Sequence, residues 1–147
     1  MRVVIINPWL RTVTESALRH GSLDAIYKAL THEGNPETDD FNVVSIAPKV
    51  YLYVDGEGFL KPDQPVWYIL GYASKDSSTL PLCGMGIIYG GVDAEGNDLA
   101  LPEYISTRFC ASAVTWTEKV STGMLEPTVV KPGVVIIGAP LIKDTRV

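Results

Sequence analysis

The stretch from Val66 to Val92, VWYILGYASKDSSTLPLCGMGIIYGGV, constrains the fold more than any other part of the chain. It holds two short runs, Val66–Leu70 and Met85–Tyr89, in which β-branched, aromatic and other apolar residues follow one another without a polar break. Runs of that length, bounded by Gly and Pro, are the pattern of strands with both faces buried in the middle of a sheet. They therefore predict a central strand pair joined by the polar loop Ala73–Thr79, with the other elements covering or extending it.

The flanking chain supplies those elements. Arg2–Ile6 is a β-branched run stopped by the turn-initiating pair Asn7-Pro8. It predicts a hairpin between Val3–Ile6 and Arg11–Ala17, with a helix starting near Thr14 as the competing reading. Ser22 is suited to cap a helix, Asp24 complements its dipole, and Leu23, Ile26, Tyr27 and Leu30 recur at helical spacing. A helix over Leu23–His32 follows, closed by Glu33-Gly34-Asn35-Pro36 and a polar loop. Phe41–Ile46 and Val50–Val54 read as strands, and Asp55-Gly56-Glu57-Gly58 as a turn. Pro102 and Glu103 suit a helix start, which predicts a second short helix over Pro102–Phe109. Val114–Glu118 alternates as a strand does. The expected architecture is one α+β domain over 1–120, a mainly antiparallel sheet with two short helices, the first packed across it. Residues 121–147 read as a C-terminal extension, a β-hairpin placed on the sheet or at a subunit interface.

Composition limits the function classes. With 147 residues, 46% hydrophobic and 20% charged, the chain can bury a core without staples. Its net charge of −5, with no cluster of Lys and Arg, repels phosphate backbones and argues against nucleic acid as a partner. The acidic patch Glu37, Asp39, Asp40 is too small for a nucleic-acid mimic and reads as solvated surface. Cys83 and Cys110 are too few for a disulfide framework and lie in apolar company, as inert buried thiols do. The opening MRVVIINPW is too short in its apolar run for a signal peptide, and no run approaches a membrane span. A cytoplasmic protein that does not engage a membrane is the expectation.

The candidate sites are correspondingly sparse. His20 and His32 have no Cys or His at metal-ligand spacing, and no nucleophile-elbow pattern is present. The set Asp93, Glu95, Asn97, Asp98 departs from a calcium loop, because Gly96 comes too early and no distal Glu follows. No catalytic residue, metal or cofactor is expected. Gly84, Gly86, Gly90 and Gly91 invite a phosphate-loop reading, but β-branched residues separate them and no helix follows directly, which favours close backbone approach or bulges. What stands out is aromatic content: Tyr51, Tyr53, Trp67, Tyr68, Tyr72, Tyr89 and Trp116. Aromatics at both parities of a strand must cover both faces, or leave a patch for binding.

Several stretches, MRVVIINP…RTVTE, GSLDAIYKAL, VYLYVDGEGFLKP and PLCGMGIIYGGVDAEGND, resemble a family of short uncharacterised proteins encoded mainly by bacteriophages and phage-derived islands. The resemblance covers residues 1–118 and rests on patterning and turn positions. It implies an accessory protein of the host-cell cytoplasm that binds and modulates a host or defence protein, an implication of context since fold alone does not fix function. On that reading the contact surface combines Tyr53 and Trp67 with the acidic turns of Asp55, Glu57, Asp93, Glu95 and Asp98. The alternative is a small-ligand protein of nucleotide type, using Gly84, Gly86, Gly90 and Gly91 with the Ala73–Thr79 loop as a flap. A homo-oligomer is compatible with either.

Overall fold

Alternation along each strand decides what the sheets bury. The computed structural model describes residues 1–17, 41–56, 62–73, 79–122 and 141–144. Within them the chain forms β1 (Arg2–Asn7), β2 (Thr12–Ala17), β3 (Phe41–Ala47), β4 (Val50–Asp55), β5 (Pro62–Ala73), β6 (Thr79–Cys83) and β7 (Gly86–Tyr89). A helix, α1 (Thr107–Ala113), then leads directly into β8 (Val114–Thr122), and β9 (Leu141–Asp144) is the last element. Two sheets result, one of six strands in the order β3-β4-β7-β1-β2-β9 and one of three in the order β6-β5-β8. All pairings are antiparallel except β2 with β9, which is parallel.

The expected first hairpin is present, running from Arg2↔Ala17 to Asn7↔Thr12. The Asn7 side chain builds its turn by accepting hydrogen bonds from the backbone N–H groups of Trp9 (3.0 Å) and Leu10 (3.2 Å). The Phe41–Ile46 and Val50–Val54 strands are likewise present, paired as β3 and β4.

The central pair is arranged differently from the expectation. Val66–Leu70 and Met85–Tyr89 each lie in the middle of a sheet, but of two different sheets, so they face each other and do not pair. Gly86 makes this possible. A Cβ on that residue would sit 2.9 Å from the Trp67 ring, so the bare glycine is where β7 admits the indole. The Trp67 Nε1–H donates to the Gly84 carbonyl at 2.8 Å, which satisfies its one polar atom inside the core. Leu80-Pro81-Leu82-Cys83, directly after the polar loop, forms the bulk of β6, whose Leu82 stands opposite Trp67.

The inner faces interdigitate as in a sandwich. Val4, Ile6, Val13, Leu52 and Ile88 of the large sheet meet Trp67, Ile69, Leu82 and Trp116 of the small one. Residues of opposite parity, Val3, Ile87 and Tyr89, form a second cluster with Met85 on the outer face of the large sheet, and they too are buried, at 0–1% exposure for those three. That face is therefore not an open aromatic surface.

Among the described residues there is one short helix, not two. The helix expected over Leu23–His32 lies outside the described residues, as does the hairpin expected in the C-terminal tail. The helix expected over Pro102–Phe109 begins later, at Thr107. Before it the Pro102 carbonyl accepts from the Ile105 N–H (3.0 Å) in a turn, which Arg2 braces by donating from Nη1 to Pro102 (3.0 Å) and from Nη2 to Ile105. Ser106 then becomes the cap, its hydroxyl accepting from the Phe109 N–H at 3.0 Å. The guanidinium that holds this turn is itself paired with buried Glu15. No helix among the described residues is long and apolar enough to cross a membrane.

Candidate functional site

The seven contact residues expected from sequence separate into distinct roles. Trp67 is 0% exposed and packs against Trp116 at a centroid distance of 6.3 Å. It belongs to the inter-sheet core and cannot touch a partner without unfolding. Asp55 is also buried, and Glu57 lies outside the described residues.

Tyr53 and the acidic loop after β7 come together. Tyr53 leaves β4 on the outer face of the large sheet and stacks on Tyr89 of β7, with ring centroids 4.2 Å apart and planes 11° from parallel. Its hydroxyl donates to the Asp98 carboxylate at 3.1 Å. Burial pushes the Tyr53 phenol above its ordinary value, and the nearby Asp98 carboxylate pushes it further, so the hydroxyl stays protonated and remains the donor. Burial likewise raises Tyr89, reinforced by Tyr53 and Asp98.

The loop is built from its own residues. Asp93 accepts hydrogen bonds from the N–H groups of Glu95 and Asn97, both at 2.9 Å, closing an Asx turn. Its carboxylate is thus spent on loop shape, which leaves Glu95, at the exposed tip, as the free-standing charge of this loop. At the base, Gly90 donates to the Leu99 carbonyl (2.8 Å) and Leu99 donates to Gly91 (2.7 Å), with Val92 bridged to Asp98. This ladder holds Val92 (55%) and Leu99 (38%) out of the core beside the acidic residues.

The glycines of the alternative site are packing positions. A Cβ on Gly90 would fall 2.2 Å from the Ala100 carbonyl oxygen, and one on Gly91, at φ +90°, would fall 2.7 Å from the Tyr51 ring. Gly86 faces Trp67, while the Gly84 N–H donates to Pro65 and its carbonyl accepts from Trp67. The Gly84 and Gly90 N–H groups donate to protein carbonyls and Gly86 pairs within the sheet, so these glycines do not converge as a phosphate cradle does.

Sequence reasoning missed Val92 and Leu99 as members of this patch and named Tyr51, which borders it, only among the aromatics. Tyr51 was legible by its parity with Tyr53. The two aliphatic residues carry no signal, since only the hairpin ladder turns them outward. Among the described residues no group of three or more His, Cys, Asp or Glu is placed to hold a metal. No protein-family model matches the chain, and no curated protein or solved structure matches it.

Proposed function

We propose that this is a non-enzymatic binding protein whose contact surface is the acidic and aromatic patch formed by Tyr53, Asp98, Glu95, Val92 and Leu99. The observation that carries the reading is the Tyr53–Asp98 hydrogen bond on top of the Tyr53–Tyr89 stack, which fastens the acidic loop to the sheet. A loop held in this way presents charge and apolar surface without a large ordering penalty on binding. Tyrosine is enriched in interaction surfaces, and the acidic side chains beside Tyr53 suit the polar rim of one. Its charge, within a chain of net −5, suits a protein partner bearing Lys and Arg. In the setting that the phage-family resemblance implies, the partner is a host or defence protein in the bacterial cytoplasm.

The test is native mass spectrometry of the tagged protein, gently purified from bacterial cells, run beside the folded double variant Glu95→Lys, Asp98→Asn. A stoichiometric protein bound to the wild type and lost from the variant is the expected outcome. A partner retained equally by both sinks the patch, and a bare chain in every preparation sinks the protein-binding reading.

A further inference from the structure

A second site lies on the opposite side of β4. There an apolar pocket of about 230 Å³ enters between the two sheets under α1. Its inner wall includes Val50, Ile69 and Ile88, which are at most 5% exposed, so it reaches the core and is deeper than a surface dimple. Its mouth is formed by Leu70 and Phe109, at 77% and 59% exposure.

The backbone accounts for that mouth. Gly71 follows Leu70 at φ +96°, and a Cβ there would meet the Ile46 carbonyl oxygen at 2.4 Å. The strand thus bends where only glycine fits, the β5–β6 register breaks between Tyr68 and Ala73, and Leu70 is turned into solvent. A leucine held outward beside an exposed phenylalanine gives the pocket an apolar lip.

We propose that this pocket binds a small, uncharged apolar molecule. The lining decides the chemical class. Apart from the Cys110 thiol, every side chain lining the pocket is hydrocarbon, with Gly71 adding only backbone, so an ionised or strongly polar ligand would lose its hydration without compensation. Volume decides the size. An apolar cavity of about 150 Å³ takes up benzene, so this one has room for roughly nine carbons. Depth favours a free molecule over the side chain of a docked surface, because the buried Ile69 and Ile88 line it. The site is independent of the acidic patch, since Val50 and Tyr51 project from opposite faces of one strand.

The test is a methyl NMR titration of the full chain with n-propylbenzene and, separately, with 3-phenylpropionate. Propylbenzene is expected to shift the Ile69, Ile88 and Ile105 methyl signals saturably and to leave Val3 in place. Phenylpropionate is expected to bind at least tenfold more weakly. Ala113→Phe, which fills the pocket, should weaken propylbenzene at least tenfold; should that variant not fold, Leu70→Asp at the exposed mouth gives the same reading. Absence of saturable shifts up to the solubility limit overturns the proposal. So does binding that survives both variants, or equal binding of the carboxylate. Pocket methyl signals that move on dilution without ligand, and stop moving in Phe109→Asp, would assign the pocket to a second copy of the chain and overturn it equally.

Discussion

The two faces of the large sheet both bury apolar side chains and end in opposite chemistry. On the inner face Val50, Leu52 and Val54 of β4 meet the tryptophans of the small sheet, and a gap in that packing becomes the apolar pocket. On the outer face Tyr51 and Tyr53 of the same strand reach the loop after β7, where a hydroxyl meets a carboxylate. Both faces are buried near β1 and β7, and at β4 the inner face stays buried while the outer one becomes half-exposed at Tyr51 and Tyr53. The difference teaches that period-2 alternation assigns residues to faces, while the loops at the sheet's margin decide what each face does.

The comparison breaks most severely if the inner face is emptied. Trp67→Ala removes a fully buried indole and its hydrogen bond to Gly84, and should destabilise the fold by about 3–5 kcal/mol. Denaturant unfolding measures this directly. A loss below about 1 kcal/mol would mean that the two sheets do not depend on this contact.

Arg2→Ala is expected to come next, at about 3 kcal/mol, because it removes the guanidinium paired with buried Glu15. The same guanidinium holds the Pro102 and Ile105 carbonyls, so the change should also loosen the turn that leads into α1. Hydrogen exchange is expected to quicken at Cys110 and Ala111, while the tyrosine patch on the other face stays protected. Equal loosening on both faces would erase the distinction drawn between them.

Legibility in the sequence followed the same division. The strands β1 to β4, the Asn7-Pro8 turn and the burial of Val66–Ile69 and Met85–Tyr89 were readable, because β-branched runs and turn residues act locally, whereas the exposure of Leu70 was not. That those runs belong to separate sheets was not, since the deciding contact is Gly86 under Trp67, nineteen positions apart in sequence. The late start of α1 was hidden for a related reason: Arg2, a hundred positions away in sequence, braces the turn at Pro102–Ile105 that precedes it. Of the residues expected to form a contact surface, Tyr53, Asp93, Glu95 and Asp98 lie together at the sheet's margin, whereas Trp67 lies in the core. A Trp between apolar neighbours has the same sequence signature whether it faces a partner or its own second sheet.

Alkaline pH should expose the inner face through Cys110. Burial pushes its thiol from about 9 up to about 11, so the neutral form is favoured in the folded state. The resulting contribution is complete below pH 9 and is lost as pH rises through 11. At roughly 1.4 kcal/mol per unit, up to about 2–3 kcal/mol disappears across that window. Unfolding free energies measured at pH 8, 9, 10 and 11 should fall accordingly, with Cys110→Ala flattening the slope between 9 and 10. Above 10 the raised phenols of Tyr53, Tyr68 and Tyr89 add their own loss, which the variant keeps. An unchanged slope in the variant would show that Cys110 is not buried as described.

The smallest change tests the outer face at a single atom. Tyr53→Phe keeps the stack on Tyr89 and removes only the hydroxyl that donates to Asp98. Asp98 is only half-buried, so water can replace the lost donor and the stability loss should be about 0.5–1.5 kcal/mol. The effect on binding should be disproportionate to that figure. Without the tether the loop keeps its ladder but loses its anchor on the sheet, and the partner must then order Glu95 and Leu99 as it docks. Several-fold weaker binding with a nearly unchanged midpoint of unfolding is therefore the expected pair of results. Unchanged affinity would mean that the ladder at Gly90–Leu99 orders the loop unaided, and that the aromatic face contributes packing alone.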